Sequence, residues 1–265
     1  MREITTSELK ELQLSILDSV DRFCRENGIH YWLDCGTLLG AIRHNGYIPW
    51  DDDIDIGMLR PDFNRFIREF HTEGNRYTAH CVENDSNFCY PYAKVLDNNT
   101  VLYEPDQNGN KIAVNIDVFV YDNAPDDNEM LEKMFDKRDF YRGANTVRTT
   151  KIRPHGNFII KTWKLIIAGG MRLVPRYYFA RKMSQNAQKY ANESTKRVGN
   201  FTSYTRTYCS RTVFDSFVDH VFEGHMYQIP IGYDEWLKSF YGDYMQLPPV
   251  EKRVSHHQFV AYVNE

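Results

Sequence analysis

Residues 32–58, WLDCGTLLGAIRHNGYIPWDDDIDIGM, constrain the fold more than any other stretch, because an acidic run and a core strand share the same few positions. Asp51, Asp52, Asp53 and Asp55 crowd together while Ile54, Ile56 and Met58 alternate through and beyond them. Side chains two apart on a β-strand share a face. A strand over about 53–58 would bury Ile54, Ile56 and Met58 and turn Asp51, Asp53 and Asp55 to the other side. Carboxylates spaced two residues apart lie about 7 Å from each other and can converge on a hard divalent cation. A solvated acidic turn, the ordinary fate of such a run, gives no reason to bury every second residue. An EF-hand loop fails on spacing, since it needs Gly sixth and Glu twelfth and the chain offers Ile56 and Asp62.

The elements around this stretch follow from pattern. Thr5 and Glu8 have capping-box spacing, and Leu9, Leu12, Ile16, Val20 and Phe23 make a helical stripe that Gly28 would end. A short strand over 29–33, a Gly36-Thr37 turn and a helix from Leu38 to Arg43 follow. A strand, a small-residue turn and a helix N-terminus make a common phosphate cradle, and just as often a plain turn. Pro61 opens a helix to about His71 with Phe63, Phe66, Ile67 and Phe70 inward. Residues 92–96 and 100–104 read as a hairpin around Asp97-Asn98-Asn99, with Lys94 either a phosphate contact or a surface lysine. Residues 113–121, AVNIDVFVY, read as a buried strand. Its Asp117 would cost several kcal/mol if unpaired, so it is expected at a metal, beside an arginine or at a solvent edge. Residues 126–142 form a further helix.

Net charge is −4, but the two signs are segregated. Residues 1–140 carry 27 Asp and Glu against 14 Lys and Arg, and residues 141–265 carry 9 against 18. An acidic half suited to holding metal thus precedes a basic half aimed at something anionic. Within 151–182, Trp163, Leu165, Ile166, Ile167, Tyr177, Tyr178 and Phe179 mix with Lys161, Lys164, Arg172, Arg176, Arg181 and Lys182. Such a segment suits an anionic membrane surface, a phosphate-rich polymer, or an ordinary helical pair with snorkelling cations. Nucleic acid is disfavoured, since no recognised motif accompanies the charge. Near the end, a helix with Trp236, Leu237 and Phe240 stops at Gly242. Lys252, Arg253, His256 and His257 then follow Pro248-Pro249. Adjacent histidines can bind phosphate, act as general base, or do neither.

The five cysteines are odd in number and lack CxxC spacing, which points to reduced thiols. A charged N-terminus without an apolar signal region and the lack of any spanning-length apolar run point to the cytoplasm, with peripheral contact at the inner membrane face through 151–182 as an option. Walker A and kinase signatures are missing, so carboxylate-held cations acting on phosphate oxygens are the favoured chemistry.

GTLLGAIRHNGYIPWDDDIDIGM, NIDVFVYD and FYGDYMQLPPVEKR together resemble the LicD family of phosphocholine transferases, relatives of the fukutin proteins. The resemblance runs from the first strand to the C-terminal loop and is weakest over 141–230. It implies an α/β (α+β) nucleotidyltransferase-like core with a mixed sheet flanked by helices. The implied division is a catalytic core over 1–140, a basic, mostly helical acceptor- or membrane-facing region over 141–230, and a segment over 231–265 that returns to the site. The fold's Gly-[Gly/Ser] turn corresponds to Gly36-Thr37, with Thr in place of Ser, its Asp-x-Asp pair to Asp53 and Asp55, and its third acid to Asp117. The resemblance implies transfer of phosphocholine from CDP-choline to a hydroxyl of a glycan or glycolipid precursor of teichoic acid, lipopolysaccharide or capsule, with release of CMP. Asp53, Asp55 and Asp117 would hold Mg²⁺, or Mn²⁺ in its place. Gly36, Thr37 and Arg43 would meet phosphates, Trp50 would shape the donor pocket, and His257 is one candidate base. CDP-ribitol or CDP-glycerol as donor, or plain nucleotidyl transfer, stay open as alternatives.

Overall fold

The computed structural model describes residues 1–103, 111–150, 158–254 and 260–263. After β1 (Arg2–Glu3), helix α1 (Thr6–Asn27) opens with the expected capping box: Thr5 Oγ1 accepts from Glu8 N at 3.2 Å and Glu8 accepts from Thr5 N at 2.8 Å. Leu9, Ile16, Leu17, Val20 and Cys24 form its buried stripe, and Gly28 ends it at φ 60°. β2 (Trp32–Leu33), α2 (Cys35–His44), β3 (Asp55–Leu59) and α3 (Arg60–Glu69) follow. Next come β4 (Tyr77–His80), β5 (Ala93–Asp97), β6 (Thr100–Tyr103), β7 (Lys111–Ile112) and β8 (Asn115–Ala124). The basic region begins at the end of α4 (Asn128–Thr149) and continues through α5 (Phe158–Met171) and α6 (Tyr178–Ala187). β9 (Arg197–Asn200), β10 (Thr207–Ser210), β11 (Phe217–Phe222), β12 (His225–Pro230), α7 (Tyr233–Tyr241) and β13 (Val260–Val263) complete the order.

The central mixed sheet runs β10-β9-β8-β3-β2, and β5, flanked by β4, also pairs with β8. β8 is its axis: β3 lies parallel to it, while β5 and β9 lie antiparallel. Ile54, Ile56 and Met58 are fully buried, as the alternation predicts, beside Val118 and Val120 of β8. Trp32 pairs with Gly57 across β2 and β3, and its ring covers that glycine so closely that a Cβ there would meet it at 2.5 Å. A second sheet, β1-β13-β6-β7, and the β11–β12 hairpin pack around this core. No helix among the described residues is long and apolar enough to cross a membrane, and none of the five cysteines forms a disulfide.

Four expectations need correction. The acidic strand starts at Asp55, not 53, because the preceding backbone is tied elsewhere: Asp51 N donates to Ile48 O, and Asp52 O accepts from the Gln13 amide. Gly36 and Thr37 lie in the first turn of α2 rather than in a turn before it. The strands expected over 92–96 and 100–104, observed as β5 and β6, do not pair as a hairpin. The buried Asp97 accepts from Arg76 at 3.0 Å and its N–H donates to Val114 O, so the chain crosses there from the central sheet to the second one. Finally, 141–230 is helical only in its first part. β9 and β10 extend the central sheet, since alternation in short strands such as RVGN and TYCS is too brief to read.

Candidate active site

The parallel register of β3 and β8 sets Asp55 directly opposite Asp117. α2 starts beside them, and the Thr37 hydroxyl accepts from Asp55 N at 2.9 Å. A Cβ on Gly36 would lie 2.5 Å from Asp51 Oδ2, so this helix start is bare in order to let that carboxylate approach. The first-turn N–H groups and positive dipole end of α2 thus face acids. Asp53 sits just upstream of the strand. Burial first, then the charges of Asp53, Asp117, Asp34 and Asp51, push the Asp55 carboxyl well above the ordinary range. Several anions have been gathered at one sheet end at an electrostatic cost.

Lys94 of β5 is the neighbouring cation. It is buried, not a surface lysine, and its ammonium donates to Asn115 at 2.9 Å and forms an ion pair with Asp117. Tyr90 and Tyr92 lie under the same ammonium, with ring centroids at 5.1 and 5.6 Å. Tyr92 also packs on Phe119 of β8 at 4.8 Å, and its phenol is raised by burial and then by the Asp117 charge. Asp117 therefore takes the paired option, with a lysine rather than an arginine.

Gly36, Thr37, Asp53, Asp55, Asp117 and Lys94 come together. Arg43 and Trp50 do not reach the carboxylate pair. Arg43 lies in the last turn of α2, donating to Tyr244 O at 2.7 Å and to His44 Nε2 at 3.0 Å. Burial and the Arg43 charge push the His44 imidazole down. Trp50 packs edge-on to His44 and lies under the Arg253 guanidinium, 5.6 Å from its ring centre. With Asp51 and Asp52 it lines a cavity of about 800 Å³ between α1 and the acidic loop, large enough for a nucleotide-sized ligand. His257 lies outside the described residues.

Three groups escaped the sequence reading. Asp34 is fully buried, accepting from Tyr121 Oη at 2.5 Å and Trp236 Nε1 at 2.9 Å, and burial raises its carboxyl. It fastens the start of α2 to β8 and α7. Cys35 (φ 46°) follows it, its thiol raised well above the usual value by burial and then by Asp34, Asp55, Asp53 and Asp117. The Tyr241 phenol is raised by desolvation, then by Cys35, Asp55, Asp34 and Asp51, although the residue as a whole is 38% exposed. Only spatial proximity joins these residues to the acids, and local pattern carries none of it.

An all-carboxylate donor set suits a hard divalent cation. Among the described residues, however, no three His, Cys, Asp or Glu side chains are drawn together tightly enough to hold one. The donors match in chemistry and register, while Lys94 takes the place of a cation at Asp117.

Comparison with known proteins gives the site its context. Residues 28–159, which run from β2 through α4 and hold Asp53, Asp55, Asp117 and Lys94, match the family "LicD/FKTN/FKRP, nucleotidyltransferase domain". Over 99% of this chain and 100% of the other, it is 30% identical to the lipopolysaccharide cholinephosphotransferase LicD of Haemophilus influenzae. A stretch of 35 residues, 13% of this chain and 7% of the relative, is 54% identical to the ribitol 5-phosphate transferase FKRP of human and of mouse. With a full-length relative and a matching domain built around the acidic strand, the chain belongs to the LicD family and is a phosphotransferase of that type.

Proposed function

We propose that the protein transfers phosphocholine from CDP-choline to a hydroxyl of a cell-surface glycan precursor such as lipopolysaccharide, in the cytoplasm, with CMP as the leaving group. The observation that carries this is the in-register pair Asp55–Asp117 at the start of α2 in a chain that aligns end to end with a lipopolysaccharide cholinephosphotransferase. Once Lys94 gives up Asp117, Asp53, Asp55 and Asp117 would draw together to hold Mg²⁺, which would neutralise the diphosphate oxygens and the charge that develops on CMP. Thr37 fixes the Asp55 backbone, and Gly36 lets the Asp51 carboxylate close on the start of α2. Lys94 would exchange Asp117 for a phosphate oxygen, keeping its ammonium paired throughout. A second reading, CDP-ribitol as donor, is favoured by the local identity to a ribitol 5-phosphate transferase.

The test is a thermal-shift panel with CDP-choline, CDP-ribitol, CDP-glycerol and CTP, with and without Mg²⁺, followed by product analysis. A donor at about 100 times its dissociation constant adds about 2.7 kcal/mol of stability. A Mg²⁺-dependent shift with CDP-choline, and CMP rather than pyrophosphate as product, is the expected result. A shift confined to CDP-ribitol moves the donor to the second reading, and pyrophosphate from CTP replaces both with nucleotidyl transfer.

Gly36→Ala offers a finer probe. The added methyl displaces the Asp51 carboxylate without touching backbone, so the fold is expected to persist while kcat/KM falls about a hundredfold, the usual effect of a misplacement near 1 Å. Unchanged kcat/KM would show that Asp51 and the start of α2 take no part.

A further inference from the structure

α5 carries apolar side chains that the fold leaves in water. Trp163 is 61% exposed, Leu165 56%, Ile166 58% and Ile167 55%, and they point to more than one side of the helix. Leu173, just beyond its end, is 88% exposed. A helix apolar around most of its circumference is stable only where something other than water covers it. Around it the charge is of one sign. Residues 141–192 contain no Asp or Glu and eleven Lys and Arg, with Arg148, Arg172, Arg176, Arg181 and Lys182 among them. Arg172 and Arg176 stand close enough to Arg148 to lower its guanidinium, after burial, by mutual repulsion.

We propose that α5 is an in-plane anchor that lays the protein on an anionic lipid bilayer, its apolar side chains at the boundary between headgroups and acyl chains. Its 14 residues make it about 21 Å long, too short to span and ample to lie flat. Arg172 and Arg181, exposed beyond it, match lipid phosphates, each worth about a factor of five in binding. Exposed Trp163 and Tyr178, at 41%, suit the headgroup level. A second copy of this chain is the poorer partner, because a two-fold contact through this face would set its arginines against themselves. The anchor is independent of which donor the site takes.

The test is flotation of the full chain with phosphatidylcholine vesicles and with vesicles that also contain phosphatidylglycerol, alongside sedimentation without lipid. The parent is expected to float with the anionic vesicles alone and to be released by salt. The variant Leu165→Glu/Ile166→Glu/Ile167→Glu is expected to lose at least tenfold in partition while keeping the parent's donor thermal shift, which also reports that it is folded. Three results would overturn the proposal: a parent that stays unbound, a triple variant that floats like the parent, or an α5-dependent dimer without flotation. Binding to soluble heparin as tight as to vesicles would assign the surface to a polyanion instead. Flotation without a donor shift would leave the anchor standing and remove the proposed donor.

Discussion

Asp55→Asn is expected to lower turnover by roughly a thousandfold while making the metal-free protein more stable than its parent at neutral pH. The two effects share one cause. Asp55 starts β3 opposite Asp117, where burial and the charges of Asp53, Asp117, Asp34 and Asp51 disfavour its ionised form. In the unfolded chain the same carboxyl titrates near about 4. Between that pH and its raised folded value the native state holds a proton that the unfolded state lacks, so this group makes stability fall as pH rises. Asparagine has the same size and nothing to titrate. Urea midpoints in chelator should therefore coincide near about pH 4 and separate in favour of the variant toward neutrality. Turnover, in contrast, needs the negative oxygen that asparagine lacks. Asp117→Asn is the weaker test, because it strands the buried Lys94 ammonium and mixes folding with catalysis. Near-parental turnover in Asp55→Asn would remove the carboxylates from the chemistry. A variant less stable than the parent at neutral pH would mean that the charged form is compensated in the fold.

What the sequence revealed of this site was the part written in short periods. Alternation in Ile54, Ile56 and Met58 placed β3, and one acid among valines placed Asp117 on a neighbouring strand. The start of α2 was approximated, three residues late, because Gly36-Thr37 suits a turn and a first helical turn equally. Lys94 had an ambiguous signature: in AKVLD it alternates like any edge lysine, and only pairing of β5 with both β4 and β8 buries it. The roles of Asp34, Cys35 and Tyr241 were beyond reach. Asp34 and Trp236 meet through a contact spanning 202 residues that no local pattern encodes. The strands β9 and β10 failed for a related reason, since four residues hold barely two periods of alternation and their burial comes from β8.

The largest loss of stability is expected from Asp122→Ala, and it should leave the chemistry in place. Arg60 at the start of α3 donates to both oxygens of Asp122 in β8, at 2.7 and 2.6 Å, with the two side chains 9% and 1% exposed. Here a bidentate geometry offsets the desolvation of two charges. Removing the carboxylate leaves a guanidinium buried between α3 and the central sheet, a loss of about 3–5 kcal/mol, or a melting temperature lower by about 10 °C. The acids at the other end of β3 are untouched, so turnover well below the melting point should stay near the parent's. Arg60→Met/Asp122→Leu separates the two contributions. If the single variant fails because a charge is stranded, the apolar pair recovers most of the loss, since well-packed hydrophobic replacements of buried pairs are often neutral. If the double variant is as unstable as the single one, the pair's two hydrogen bonds themselves hold α3 to β8. In that case the crossover from β3, and with it the register that sets Asp55 against Asp117, depends on them.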